Sequence, residues 1–176
     1  METAAVRKCL GKLLSRQEPA LLVPPGVWSP ELQREIERLD PGKDPASLAV
    51  KSALLLWNDD LTGCHEIAQN LSDEFGAYLH GIMHRREPDY SNAKYWFGRV
   101  RQHACFSELA VRAGDLLQAA GPIKLPGPLI SRGQWDAFAL VDACEMEADA
   151  PEEKRGRLLR QVQALEFELR CNYCGG

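Results

Sequence analysis

The sequence has no long uninterrupted apolar run and no excess of positive charge. Its most apolar segment, residues 49–57, is interrupted by Lys51 and Ser52 and is far shorter than the roughly 20 residues that a membrane span needs. The formal net charge is -4 at pH 7, so the chain as a whole does not attract nucleic acid or anionic lipid. We therefore expect no membrane segment and no DNA partner.

A secretory leader and a disulfide framework are also missing. The N-terminal residues METAAVRKCLGKLL lack the continuous apolar core and the small-residue cleavage site of a secretory signal. The six cysteines are dispersed instead of clustered: Cys9, Cys64, Cys105, Cys144, Cys171 and Cys174. We predict a cytoplasmic protein with free thiols, several of them buried. The C-terminal CNYC is half of a zinc site without a second pair, and we interpret it as a tail beyond the last helix.

The motifs of the commonest enzyme classes are absent as well. No phosphate loop, Gly-x-Ser-x-Gly elbow or calcium loop is present. Tyr90 and Lys94 have the YxxxK spacing of short-chain dehydrogenases, but no glycine-rich strand-to-helix turn precedes them, so we treat this match as coincidence. In HGIMH, Gly81 stands where a metalloprotease helix carries glutamate.

Helical periodicity dominates what is present. Apolar residues recur at three- and four-residue spacing, and no segment alternates cleanly with period two. The predicted helices cover residues 3–16, 30–39, 46–70, 74–86, 92–103, 106–119, 131–146 and 151–169. Ser29 before Pro30 and Asp44 before Pro45 indicate two helix starts, and Ser131 with Gln134 has the spacing of a capping box.

The length and composition favour one domain. The 176 residues, 45% of them hydrophobic, are enough for a single substantial core. Short turns between helices predict antiparallel packing of neighbours. We therefore predict an all-α domain over residues 1–176, an irregular helical bundle or α-hairpin array of about six to seven helices. Its core hairpins are expected over residues 46–120 and its C-terminal helices over residues 131–172.

One segment resembles known helical repeats. EPDYSNAKYWFGRV is similar to the start of a tetratricopeptide-type or Sel1-like repeat, with an acidic turn, a small residue and an aromatic-rich helix. The longer pattern from WNDDL through HGIMHRREPDYSNAKYWF resembles a group of small helical proteins of uncharacterised role. The likeness covers residues 46–103, without a second copy at a fixed spacing. It implies helical hairpins and no particular activity.

The histidines form the first candidate site. With a turn near Leu71 and Ser72, residues equally far from the turn lie level across the hairpin, which places His65 beside His80. Two imidazoles at i and i+4 plus a ligand from a facing helix commonly hold Zn or another divalent metal. The candidate metal ligands are His65, His80, His84 and Asp60, with Glu66 assisting. The alternative is a structural or merely polar role for these histidines. His103 is a weaker candidate.

Basic and aromatic side chains form the second candidate site. A set of six, followed along the chain by Arg99 and Arg101, could bind a phosphate, a carboxylate or RNA: Arg85, Arg86, Tyr90, Lys94, Tyr95 and Trp96. The favoured alternative is a solvated face whose arginines pair with Glu87 and Asp89.

Two functions of different class follow from these candidates. The first, slightly favoured, is a helical-hairpin module whose aromatic face, including Tyr90, Tyr95 and Trp96, binds a protein or peptide. The second is a metal-binding protein or metal-dependent enzyme that uses His65 and its partners. There the metal would lower the pKa of a bound water, and Arg85 or Arg86 would hold an anion nearby.

Overall fold

The computed structural model describes residues 4–40, 42, 44–100, 103 and 105–174, with side chains described as far as residue 169. Within these ranges it contains nine helices and one short β-hairpin, which confirms the predicted all-α class. The elements in chain order are α1 Ala4–Leu14, α2 Pro30–Glu37, α3 Pro45–Trp57, α4 Leu61–Ala68, α5 Glu74–Arg86, α6 Tyr90–Phe97, α7 Phe106–Ala120, β1 Ile130–Ser131, β2 Gln134–Trp135, α8 Ala137–Asp149 and α9 Glu153–Cys174. None of the described helices combines the length and apolar character of a membrane span.

Local capping chemistry sets several helix starts as predicted. The Ser29 hydroxyl accepts the Leu32 N–H ahead of α2, and the Asp44 carboxylate accepts the Ser47 N–H ahead of α3. Both helices carry proline in the first turn, where a missing N–H costs nothing. Asp73 caps α5 in the same way.

The predicted single helix over residues 46–70 is wrong, because the chain breaks it after Trp57. Asp59 adopts a left-handed conformation with φ of 67°. Asp60 then starts α4 as its N-cap, where its carboxylate accepts the Gly63 N–H at 2.9 Å. The aspartate side chains compete with the helical backbone for hydrogen bonds, although the apolar stripe continues through the break.

The predicted capping box at Ser131 and Gln134 is also wrong. These two residues pair with each other across the β-hairpin. Arg132 and Gly133 form its two-residue turn with φ values of 51° and 75°, the left-handed pair typical of a type I′ turn. Asp136 is the true N-cap of α8.

Two other helix ends differ from the prediction. Helix α6 stops at Phe97 with Gly98 as C-cap, short of the predicted end at residue 103, and residues 101 and 102 of that prediction lie outside the described ones. Helix α9 continues to Cys174, so the CNYC segment belongs to its backbone and is not a tail. No proline or glycine lies between Leu169, where the predicted helix ends, and Cys174. The described cysteines Cys9, Cys64, Cys105 and Cys144 are buried free thiols, as predicted.

Helix α5 lies at the centre of the bundle, in contact with α3, α4 and α6. Every residue from Gly76 to Arg86 is buried. A helix buried all round is ordinarily apolar, but α5 carries His80, His84, Arg85 and Arg86. Buried polar groups require partners inside the protein, so the contacts of this helix decide where the functional chemistry lies.

The two arginines of α5 belong to the core, which corrects the prediction of a solvated basic face. Arg85 is 2% exposed and pairs with Glu166 of α9 at 2.5 Å, while Tyr78 donates to the same carboxylate at 2.7 Å. Arg86 is 0% exposed and pairs with Asp59 at 2.5 Å. These pairs also join α5 to α9 and to the turn before α4.

Candidate functional site

Three histidines converge where α4 packs against α5. The ring centroids of His65 and His80 are 5.2 Å apart, those of His65 and His84 are 5.6 Å apart, and those of His80 and His84 are 5.9 Å apart. The predicted proximity of His65 and His80 across the hairpin is confirmed. We call these three residues the histidine cluster.

Hydrogen bonds fix the orientation of two of these rings. Nδ1 of His80 lies 3.2 Å from the Gly76 carbonyl oxygen, and because a carbonyl can only accept, the proton is on Nδ1 and Nε2 keeps its lone pair. Nδ1 of His84 lies 3.3 Å from a carboxylate oxygen of Glu87. Asn92 places its amide nitrogen 3.2 Å from Nε2 of His84. Both partners of His84 favour the same tautomer.

The surroundings of His80 and His84 favour the neutral state of these two rings. The pKa of His80 is lowered to about 4, chiefly by burial and to a smaller extent by the neighbouring His65 and His84, while the hydrogen bond to the Gly76 carbonyl opposes the shift. Burial also lowers the pKa of His84, although the carboxylates of Glu87 and Asp89 oppose that shift. At neutral pH the imidazoles of His80 and His84 are therefore uncharged, which is the form that binds metals.

The low pKa of His80 predicts a loss of stability in mild acid. An unfolded histidine takes up its proton near pH 6.5, whereas folded His80 does so only near pH 4. The contribution of neutral His80 to the free energy of unfolding is therefore fully present above pH 6.5 and is lost as the pH falls toward 4. At pH 5 the loss from this residue is about 2 kcal/mol. Urea unfolding of metal-free protein at pH 7.5 and 5.0 measures it. His80→Gln should depend less on pH than the parent, and equal dependence would refute the shift.

Helix α6 covers the cluster with an aromatic wall. The Trp96 ring stacks on His80 with centroids 4.0 Å apart and planes 12° apart. The close packing of α6 on α5 requires a residue without a side chain at position 81, because a Cβ at Gly81 would lie 2.6 Å from the Phe97 ring. The Arg99 guanidinium lies over the Trp96 ring, 5.4 Å from the ring centroid.

The two predicted acidic groups have different surroundings. The oxygens of Asp60 accept hydrogen bonds from the Gly63 N–H at 2.9 Å and from the Gln33 amide at 2.6 Å. This carboxylate therefore caps α4 and ties it to α2. Glu66 is exposed on α4. As the side chains stand, no three His, Cys, Asp or Glu groups among the described residues are arranged to hold a metal ion.

His103 belongs to a different environment. Its ring stacks on Tyr78 with centroids 5.7 Å apart, and its Nδ1 lies 3.0 Å from Sγ of Cys105. It also lines a cavity of about 740 Å³ between the end of α6, the start of α7 and the β-hairpin. The residues of the histidine cluster are not among those lining this cavity.

The six basic and aromatic candidates do not share one face. Arg85 and Arg86 are engaged in the core as described above. Lys94 forms an ion pair with Asp142 at 2.5 Å, which raises the lysine pKa, and Tyr90 is half-buried, which raises its pKa. Tyr95 is 58% exposed, and Trp96 lies against the histidine cluster.

Sequence reasoning missed two partners of His84. Glu87 is three residues along the chain, at a spacing that brings helical side chains together, so the pattern could have indicated it. Asn92 belongs to the next helix, and its approach depends on the tight turn at Pro88 and Asp89, which spacing does not specify. The need for glycine at position 81 was equally hidden, because it arises from the Phe97 ring.

The described fold was compared with what is known of other proteins. No protein-family model, no curated protein and no solved structure matches the chain. The function is therefore argued from the histidine cluster itself.

Proposed function

We propose that the protein binds a divalent transition metal, such as Zn²⁺, through His65, His80 and His84. The observation that carries this proposal is the triangle of ring centroids, with sides of 5.2, 5.6 and 5.9 Å. Three imidazoles on one tetrahedral ion have ring centres roughly 5 Å apart, given Zn–N distances of about 2.0–2.1 Å. Metal binding would require the rings to turn from their present orientations and the Asn92 amide to leave Nε2 of His84.

The surroundings of the rings also support a metal. Ligand histidines usually donate their second ring N–H to a carbonyl or carboxylate, which fixes the ring. The Gly76 carbonyl serves His80 in this way and Glu87 serves His84. Glu87 and Asp89 add negative charge near His84, which favours a cation. Three neutral ligands leave a fourth position for water or substrate, and the bound metal would supply Lewis-acid activation there.

Elemental analysis of protein purified without a histidine tag tests the proposal. We expect about one equivalent of zinc, or of cobalt after exchange, as for a site with three protein ligands and an open fourth position. His103→Ala is the matched control, because it removes the one histidine outside the cluster and should keep the metal. Substoichiometric metal in the parent after supplementation would refute the proposal.

A second candidate function is a protein- or peptide-binding module, and the exposed Tyr95 favours it. Its ring is 58% exposed and is held by Arg99, whose Nη1 donates to the tyrosine hydroxyl at 3.1 Å. The likeness to tetratricopeptide-type hairpins supports the same role. A pull-down that loses its partner on Tyr95→Ala, while metal content is unchanged, would support this function. Trp96→Ala cannot make this distinction, because Trp96 also covers His80.

A further inference from the structure

We propose that the cavity beside the β-hairpin binds a neutral, planar aromatic molecule that carries a carbonyl oxygen. This cavity is separate from the histidine cluster, and the proposal requires no metal. Its volume of about 740 Å³ falls within the roughly 300–1,000 Å³ that is usual for small-molecule sites. Its walls come from the end of α6, the start of α7, the hairpin and the start of α8.

Aromatic rings from four elements line this cavity. Phe97 comes from α6, Phe106 from α7, Trp135 from β2 and Phe138 from α8. Phe97 and Trp135 are buried, Phe106 is half-buried and Phe138 is 42% exposed. Close-packed interiors leave few voids larger than a water molecule, so rings that surround an open space are available to a ligand. A planar aromatic molecule would pack on these rings and remove Phe138 from water.

The hydrogen-bonding groups in the walls favour an acceptor on the ligand. The Trp135 indole nitrogen Nε1 is buried, and in the part of the chain that the structure describes no group accepts its hydrogen. A buried tryptophan N–H ordinarily has a partner, and a ligand in the cavity that this ring lines would supply one. His103 accepts the Cys105 N–H at Nδ1, so its neutral ring carries a proton on Nε2 and offers a second donor. A carbonyl oxygen is the matching group, because it only accepts.

The charges at the edge of the cavity favour a neutral ligand. Arg132 and Asp136 both line the cavity and carry opposite charges. The Asp136 carboxylate accepts the Ala139 N–H at 3.0 Å as the N-cap of α8. Arg132 is exposed in the hairpin turn, where solvent and salt screen its charge. Neither sign dominates, so these two groups give no net attraction for an anion or a cation.

Two bicyclic compounds of similar shape, 1-indanone and indane, test the proposal because only 1-indanone has a carbonyl group. Each is titrated into isotope-labelled protein, and NMR follows the indole N–H signals, with that of Trp135 assigned through its sequential neighbours. We expect 1-indanone to bind more tightly than indane. It should also move the Trp135 signal downfield, as a new hydrogen bond to this N–H would. This measurement uses the parent protein and does not depend on the folding of any variant.

Three variants identify the groups that bind. Trp135→Phe keeps an aromatic wall and removes the donor, so it should weaken 1-indanone by about three- to tenfold, the equivalent of one hydrogen bond, and leave indane unchanged. Phe138→Ala should weaken both compounds, because its ring packs on either one. Trp28→Phe is the matched control, since Trp28 lines a different cavity, and should behave as the parent. Backbone amide signals of the hairpin report binding in all of them.

Equal affinity of the parent for 1-indanone and indane would overturn the proposal, because an ordered water would then satisfy the indole N–H as well as a carbonyl does. A Trp135 signal that does not move at saturation, or failure of both compounds to bind, would overturn it too. Indane-1-carboxylate tests the charge of the ligand. Tighter binding of this anion than of 1-indanone would refute the neutral class.

Discussion

Replacing Arg85 with methionine is expected to lower the free energy of unfolding by about 3–5 kcal/mol, the range for removal of one partner from a buried ion pair. Glu166 is 0% exposed and would lose its arginine partner in the core, while the Tyr78 hydroxyl still donates to its carboxylate. The methionine side chain keeps most of the apolar contacts of the arginine stem. The loss therefore reports the unpaired carboxylate and not a cavity.

Two further variants complete this measurement by urea unfolding. The double variant Arg85→Met with Glu166→Leu removes both charges and should recover much of the lost stability, because a buried pair gains little over apolar packing. Arg157→Met is the exposed control, since its pair with Glu153 has side chains 66% and 86% exposed. It should change stability by less than about 0.5 kcal/mol. The expected loss in the free energy of unfolding of Arg85→Met is at least about 3 kcal/mol. A loss of less than about 1 kcal/mol would show that the ion pair is not a major determinant of stability.

The second large effect concerns the histidine cluster. We expect His80→Ala and His84→Ala each to lower zinc affinity by more than about a hundredfold, because each removes a ligand and leaves only two. Glu87→Gln keeps the ligands and weakens only the orientation of His84. It should lower zinc affinity by about 10–100-fold, the range for loss of a group that hydrogen-bonds to a metal ligand.

Competition with a chromophoric chelator measures these affinities, and circular dichroism checks that each variant is folded. His103→Ala should match the parent, because this ring stacks on Tyr78 away from the cluster. The order expected is therefore parent and His103→Ala first, Glu87→Gln next, and the two ligand variants last. If both alanine variants keep the parent affinity, the metal lies elsewhere and the cluster has a structural role.

The parts of the fold that sequence predicted correctly are those fixed by local chemistry. Ser29 and Asp44 cap helices through hydrogen bonds to residues only three positions away, so the local sequence is sufficient to predict these helix starts. The proximity of His65 and His80 was predictable for a similar reason. It depends on a hairpin turn near Leu71 and on helical periodicity, both of which are visible in the chain.

The errors arose where two interpretations shared one pattern. The apolar stripe runs unchanged through Asn58 to Asp60, so periodicity alone did not show that α3 ends there. Ser131 and Gln134 have the spacing of a capping box and also the spacing of a pair that closes a two-residue turn. The left-handed Gly133 distinguishes the two interpretations, because glycine favours such a turn.

The arginines could not be placed from sequence at all. Arg85 pairs with a residue 81 positions away and Arg86 with one 27 positions away. Spacing identifies neighbours within a helix but not partners brought together by packing. Adjacent acidic residues, Glu87 and Asp89, therefore appeared to be the natural partners, whereas one of them orients His84 instead.

Gly81 determines how closely α6 packs over the histidine cluster, although it is not one of the proposed ligands. A side chain at this position would meet the Phe97 ring at 2.6 Å, so that the Phe97 ring or α6 as a whole would have to shift. A shift of α6 would move Trp96 with it and open a gap above His80. Water entering that gap would solvate the imidazolium and bring its pKa back toward that of a free histidine. The protonation state of His80 thus depends on the absence of a side chain at the neighbouring Gly81.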